Sequence, residues 1–516
     1  MRPSVSRQRA AEAAALAVGL ALLAALAIGA VAGTREARTD SSIAYHGPLT
    51  LRPGAKLTAK ISLPSSRVVG VAFLLDGRPI ASDTAPPYTA VVLPEDLRRS
   101  TRGVMRVRVL TRNARTIDSP AVRVRLDERP VGRIIRAGPA KNLRRAVAAL
   151  AAGRVTVLLA PGEYDLGHLR LGSGARLIGS GPQTTLLAPQ GEYEWVVGVR
   201  GDDVIVADLA IDGRGPGKGG GYGVVVHPGS EHVVLRRLTI SRIRRYGVHA
   251  YGEYSEVSVQ DSSIDGAGTA DSGVLARVAD AGDVSVIRSR ITRFRSFGIN
   301  FQKIDHDEPE RGARNVALDN VITDIRDTVD TDGRSQGGIW SGGAAAAIVG
   351  NVVTRAAWDG IETVGSSEGV LIARNRISET RFGIYLEHET DGTTVMDNTI
   401  SKVELGMIVE WRYDGVGSER NTFLRNTVSG ATRNSMFLDL GADENLISGN
   451  RFLGAGGSSV IILQGSSGNR IVDNFACAAP GALVVERTAR SDEGALVAPG
   501  GNEIARNVVR PVCPSG

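Results

Sequence analysis

NVVTRAAWDGIETVGSSEGVLIAR (351–374) is followed by NRISETRFGIYLEHETDGTTVMD (375–397), NTISKVELGMIVEWRYDGVGSERNTFLR (398–425), NTVSGATRNSMFLDLGADENLISG (426–449) and NRFLGAGGSSVIILQGSSGNRIVD (450–473). The leading asparagines are Asn351, Asn375, Asn398, Asn426, Asn450 and then Asn474. A period in the twenties built from short β-branched runs reads as a solenoid, in which each unit buries its apolar face only against its neighbours. Every unit carries three short alternating runs, such as Val395, Thr399-Ile400 and Met407-Ile408-Val409. Asn or Gly falls between them too often for a helix to survive. An asparagine at a fixed place in each coil tolerates a left-handed bend, and its amide can bond to the asparagine of the next coil.

These repeats resemble the right-handed parallel β-helix of the pectate-lyase-like superfamily, with weaker copies back to about Leu209 and forward to Asn507. The leucine-rich repeat shares the period, but Leu is sparse here and the runs are β-branched. PAKNLRRAVAALAA (139–152) reads as a helix with Leu143, Val147 and Leu150 on one face, followed by TVLLAPGEYDLGHLRLGSGARLIGSG. That order resembles the opening of parallel β-helix proteins, where a helix covers the N-terminal end of the stack.

Residues 40–128 read as a small all-β domain. Alternating runs recur at Leu57–Ile61, Val68–Leu75, Thr89–Leu93, Val104–Leu110 and Ala121–Leu126, split by Pro and Gly turns. VAFLLDGRPIASDTAPPYTAVVL, with its Asp76-Gly77 turn and Pro87-Tyr88, resembles the Ig-like modules of bacterial surface proteins, and a spacer role is expected. The antibody-type Cys…Trp…Cys pattern is missing. The expected architecture is therefore all-β: a targeting segment with a short linker (1–39), an Ig-like β-sandwich (40–128) and a right-handed parallel β-helix (129–516).

Arg2, Arg7 and Arg9 precede an uncharged run from Ala13 to Gly33, long enough to span a bilayer. The Arg-rich flank stays cytoplasmic, so the rest of the chain is expected outside. Ala30-Val31-Ala32 also resembles a signal-peptidase site, leaving an anchor and cleavage near Ala32 both open. Cys477 and Cys513, the two cysteines of the chain, are expected to form one disulfide in an exported protein. Closing such a loop contributes about 3–4 kcal/mol in the chain-entropy model. Net charge is +6, but the arginines are scattered and aromatics make up 4% of the chain. Nucleic-acid binding wants basic clusters interleaved with aromatics, so it is excluded as the expected partner.

Each repeat opens one strand with Gly or Ser. Because side chains alternate along a strand, the second and fourth residues after that Gly point outward. The first outward column is expected to be Val225, His249, Leu275, Asn300, Trp340, Glu362, Tyr385, Ile408, Phe437 and Ile461. The second is His227, Tyr251, Arg277, Gln302, Gly342, Val364, Glu387, Glu410, Asp439 and Leu463. Carboxylates at Glu362, Glu387, Glu410 and Asp439 thus share a face with Trp340 and Tyr385, and His388 and Trp411 lie just past strand ends.

Aromatic rings pack on sugar faces, and carboxylates bond hydroxyls or do acid–base work. The expected partner is a polysaccharide or cell-envelope glycan, taken by a monomer. Glu387 and Glu410 are the candidate acid–base or nucleophile pair of a glycosidase or lyase, with Glu362 or Asp439 as a third carboxylate. Trp340, Tyr385 and Trp411 are candidate platforms, with His249, Tyr251, Asn300, Gln302 and His388 as further substrate contacts. Stacked carboxylates also suit Ca²⁺ or a solvated ladder neutralised by Arg381 or Arg412, and otherwise no metal or cofactor is expected. His249 with Tyr251 is a candidate acid–base pair for lyase or epimerase chemistry. The alternative is a non-catalytic surface protein that binds glycan or builds the envelope. The paired Asp-Asp followed by Gly-His-Gly of polygalacturonases, the Arg-x-Pro-x-x-Arg of pectate lyases and the Tyr-Gly-x-Asp-Pro-His of alginate epimerases are all missing. No catalytic residue carries over from them, and fold likeness does not supply function.

Overall fold

The computed structural model describes residues 42–513, apart from 98–100, 130–131, 190–193, 216–220, 253, 279–282, 304–313, 327–335, 344, 366, 411–416, 458, 479–481 and 491–494. The expected targeting segment lies outside the described residues. Among the described residues no helix is long and apolar enough to cross a membrane.

From Ile134–Ala137 onward the chain winds as a parallel β-solenoid. Each full coil gives one strand to a 13-stranded sheet, here the front sheet, and two strands to a 27-stranded sheet around the remaining faces. Coil-to-coil pairing is parallel and in phase, so that Ile361, Ile384, Met407 and Met436 stack in one inward row. All four are fully buried, within a single core that runs from Ile135 to Ala476. A side-chain period of two makes this phase self-enforcing, since a one-residue slip turns a whole apolar row to solvent.

The leading asparagines form a continuous hydrogen-bonded ladder through Asn320, Asn351, Asn375, Asn398, Asn426, Asn450, Asn474 and Asn507. In each step the backbone N–H and the Nδ2 of one asparagine donate to the Oδ1 of the next, at 2.9–3.0 Å. The left-handed bend expected at these asparagines falls one residue earlier, at Gly350, Arg374, Asp397, Arg425, Gly449 and Asp473. The amide therefore contributes through its bonds alone. The bend residues point outward, and two of their carboxylates pair with arginines one coil on, Arg425 with Asp397 and Arg506 with Asp473. A second ladder, Asn421–Asn445–Asn469–Asn502, runs beside the first and was not expected.

The N-terminal helix is Leu143–Ala152, starting later than expected. Asn142 is left-handed (φ 59°), and Gly138 and Lys141 bridge each other, so helical geometry begins only after them. Ala146 and Leu150 cover the end of the core, with Leu143 and Val147 packed at its rim. At the other end Cys477 and Cys513 are joined, as expected, with Cα atoms 4.9 Å apart. The bond ties the tail to the last coil, where Val508 and Val509 remain exposed.

Between residues 42 and 126 a three-stranded and a six-stranded sheet enclose a separate core around Leu57, Phe73, Val92, Met105 and Val107. Asp76 and Gly77 are both left-handed and form the two-residue turn between Val68–Leu75 and Arg78–Asp83. Ile43–Tyr45, Thr50–Leu51, Arg78–Asp83 and Thr116–Asp118 are strands beyond those expected.

This unit is docked along the flank of the solenoid, which departs from the expected spacer. Leu93 packs on Ile178, Ile205 and Ala207, while Val69 and Leu110 pack with Val349, Leu371, Ala373 and Met396. Polar contacts close the seam. Asp96 accepts from Arg236 at 2.5 Å and Arg237 at 2.8 Å, and Gln260 exchanges bonds with the Ser82 backbone at 2.7 and 3.2 Å. The outward apolar residues of the 27-stranded sheet thereby find a partner.

One seam contact titrates. The Asp83 and Glu256 carboxyls hydrogen-bond each other across the junction, and His232 Nε2 lies 3.3 Å from Glu256. Burial, then Asp83, push the Glu256 carboxyl up to about 9, although His232 and Lys56 oppose this. A carboxyl whose folded pKa is raised favours folding below its unfolded pKa, and that contribution disappears as pH climbs through the folded value. The junction is thus expected to hold best below pH 4.5 and to loosen progressively towards pH 9. Hydrogen exchange at Ser82 and Gln260 across that range measures this, and Glu256→Gln should flatten the slope. An unchanged slope in the variant would remove the carboxyl pair as its cause.

Candidate functional site

The outward side of the front sheet carries three columns of side chains. The middle column runs Val225, His249, Leu275, Asn300, Trp340, Glu362, Tyr385, Ile408 and Phe437, as expected. It then continues to Ile462 and not Ile461, because Met436 pairs with Ile461. By the same shift Gln464, not Leu463, lies beside Asp439 and donates to it at 3.1 Å. An extra residue in the last repeat displaces the Ser that was read as the strand opening. The third column, Trp195, Tyr222, Tyr246, Ser272, Phe297, Gly337, Asp359, Phe382 and Leu405, precedes the opening glycines. The residue before each Gly carries this column in the sequence.

Five acids gather on the C-terminal coils: Asp359, Glu362, Glu387, Glu410 and Asp439. Glu387 and Glu410 are on neighbouring coils, where their backbone N–H groups donate to Thr363 and Leu386. The Tyr385 hydroxyl sits between them, 2.9 Å from Glu410 Oε2 and 3.4 Å from Glu387 Oε1. Those two oxygens are therefore no farther apart than the sum of the two distances. Glu362 is 1% exposed and Glu387 7%, while Glu410 is half-buried. Burial raises the Asp439 carboxyl. Arg381 does not neutralise this group. It pairs with Glu404 at 3.2 Å and lies over the Trp358 ring at 4.2 Å.

Tyr385, expected as an open platform, is 1% exposed, with its ring packed among Phe382, Leu405 and Ile408. Its hydroxyl is the useful part. Trp340 does lie flat on the sheet. Its ring covers Gly342, where any Cβ would collide with it, and its centre lies 6.1 Å from that of the tilted Phe297 ring. Trp195 covers Gly198 in the same way. Trp411 and Arg412, with the acidic residues 305–310 and 327–332, lie outside the described residues. Asn300 is 9% exposed and Gln302 half-buried, both on the coil before Trp340 and away from Glu387 and Glu410. His388 is half-buried, one residue beyond Glu387.

The expected His249–Tyr251 pair is rearranged. Tyr251 hydroxyl lies 3.0 Å from His227 Nδ1, one coil earlier, while His249 stacks between Tyr222 and Tyr251 at 5.5 and 5.1 Å. Burial, then Arg277 and Arg245, push His249 down to about 4, and burial with Arg200 and Arg170 lowers His227. Both shifts favour the neutral imidazole.

Two overlapping segments, 225–427 and 318–487, match the family described as "Periplasmic copper-binding protein (NosD)". No curated protein matches the sequence. Among solved structures, the mannuronan C-5 epimerase AlgE6 A-module of Azotobacter vinelandii is 15% identical, covering 72% of this chain and 93% of its own, with a TM-score of 0.43. The surface adhesin PfbA of Streptococcus pneumoniae is 12% identical over 69% and 94%, with a TM-score of 0.45. The GH87 alpha-1,3-glucanase catalytic unit of Streptomyces thermodiastaticus is 14% identical over 89% and 90%, with a TM-score of 0.46.

Copper favours imidazole, thiolate and thioether donors. Among the described residues no group of three or more His, Cys, Asp or Glu stands close enough to hold a metal ion. Both cysteines are in the disulfide, and the described methionines Met105, Met396, Met407 and Met436 are all buried in apolar clusters. The described residues therefore do not fit copper, and no chemistry is routed through it. With its coils matched from residue 225 to residue 487, just over half of the sequence, the chain belongs to the NosD family of β-helix proteins.

Proposed function

We propose that this is an extracytoplasmic protein that binds a polysaccharide along its front sheet and cleaves it at Glu387 and Glu410. The observation that carries this reading is the Tyr385 hydroxyl held between those two carboxyls. The phenol, with one proton to give, lies 2.9 Å from Glu410 and 3.4 Å from Glu387 and so holds the two carboxyls near one another, as a retaining pair about 5–5.5 Å apart needs. Glu410, the more open of the two, is the better placed to meet a glycosidic oxygen, while Glu387 is the nucleophile or base. Trp340, flat on the sheet and half-exposed, supplies a sugar platform.

The family's description as periplasmic supports placement outside the cytoplasm, as does the disulfide. Residues 1–39 are proposed as the export segment, with 13–33 as its anchor. The 40–128 unit is proposed to be Ig-like, the chain a monomer, and its chemistry free of calcium or other cofactor.

Reducing-end release from a panel of neutral and acidic polysaccharides tests the activity. Glu410→Gln is expected to lower turnover by about 10²–10⁴-fold, the usual worth of a general acid or base, with binding changed little. Unchanged turnover would eliminate the site. The burial of Glu362, Tyr385 and Glu387 favours a second reading, a glycan-binding surface without cleavage. Under it no product forms from any polysaccharide, while Trp340→Ala still weakens binding.

A further inference from the structure

The front sheet is divided by charge. In its three outward columns from Trp195 to Gln302 there is no carboxylate, and from Gly337 to Asp439 there is no Lys, Arg or His. The first half instead carries an unbroken outward column, Arg200, His227, Tyr251 and Arg277, on successive coils. Elsewhere the solenoid pairs its bend arginines with carboxylates, as in Arg237–Asp208, Arg288–Asp261 and Arg355–Asp324. Arg200 and Arg277 are exposed, and neither has a carboxylate within ion-pair distance among the described residues. Between them the rings form one continuous contact path. Trp195 meets His227 at 5.8 Å, His227 meets Tyr251 at 5.7 Å, and Tyr251 meets His249 at 5.1 Å. The Nε2 atoms of both histidines are buried with no hydrogen-bond partner among the described residues. Two guanidiniums without an ion-pair partner among the described residues, flanking aromatic faces, match the chemistry of an anionic sugar.

We propose that these N-terminal coils of the front sheet are an anion-reading subsite for a glycan residue bearing a carboxylate or sulfate, gripped by Arg200 and Arg277 and stacked on Trp195. This rests on the glycan-binding reading above and names its substrate class. A chain charged at every residue meets five carboxyl groups on the other half of the same face. The fitting glycan therefore carries its anionic group sparsely or at one end, and the charge division orients it along the solenoid axis. Five coil steps separate Tyr251 from Tyr385. At the spacing of paired strands, that distance spans several sugar units, so one oligosaccharide must reach from the subsite to the acid centre.

Binding of the full chain to an array of neutral, singly carboxylated and singly sulfated oligosaccharides tests this. Retention is expected on anionic members only, and the carboxylated and sulfated arms identify which group is read. Arg200→Gln with Arg277→Gln should lower that affinity at least about tenfold, the ordinary worth of a charge-assisted bond. Arg290→Gln, exposed on the opposite sheet, should leave it unchanged. Equal binding of neutral and anionic members, or an unaltered double variant, would overturn the subsite and leave the glycan reading standing. Silence across every member would overturn both.

Discussion

Asn426→Ala is expected to destabilise the solenoid by about 2–6 kcal/mol, because it strands two buried backbone groups at about 1–3 kcal/mol each. The Asn426 Oδ1 accepts the backbone N–H and the Nδ2 of Asn398, and its Nδ2 donates to the Val395 carbonyl and to Asn450 Oδ1. Removing the amide leaves the Asn398 N–H and the Val395 carbonyl without those partners in a fully buried turn. Asn507, at the open end, is only half-buried and has no asparagine beyond it to serve. Asn507→Ala removes the same kinds of bond, to the Asn474 N–H and Nδ2 and the Ile471 carbonyl, but at a half-open end where water can replace them, so a cost of about 0.5–1.5 kcal/mol is expected. Urea unfolding of the two variants checks the contrast, and equal losses would mean that the ladder is not a buried cooperative element.

Asp96→Ala should release the N-terminal unit from the flank. Arg236 is 1% exposed and Asp96 4%, so deleting the acid leaves a guanidinium buried without its counter-charge. Breaking such a pair from one side costs about 3–5 kcal/mol, whereas replacing both partners with apolar residues is often neutral. The expected result is early protease cleavage near residues 127–133 in Asp96→Ala, and recovery in Asp96→Leu with Arg236→Met. If Asp96→Ala is as resistant to protease as the unaltered chain, the seam is held by Leu93, Val69 and Leu110 and the ion pair is incidental.

The solenoid was legible because its signal is periodic. Asn at a constant offset and Gly before each front strand recur too often to be accidental, and the parallel pairing follows from them. The carboxylate column was legible for the same reason, since alternation alone places Glu387, Glu410 and Asp439 side by side. What could not be read depends on distant chain. Ala345–Val349 and Leu371–Ala373 are apolar at outward as well as inward positions. Only the docked unit, which lies far earlier in the chain, explains this. The burial of Tyr385 depends on Phe382 and Leu405, which belong to the third column. The contact of Tyr251 with His227 is not legible in the sequence because the two are remote along the chain, although adjacent across one coil.

Ladder asparagines from Asn320 to Asn507 follow one another at sequence steps of 31, 24, 23, 28, 24, 24 and 33, yet every rung closes at nearly the same length. From Asn320 on, the link between the two rear strands of a coil keeps one length, as at 374–375, 397–398 and 425–426. All the surplus falls on either side of a front strand. Heredity can therefore lengthen or shorten the borders of the front face one coil at a time, while the rear joint keeps count. A lineage of such chains is expected to diverge fastest in ligand preference and slowest in architecture, with the two histories written in separate parts of each repeat.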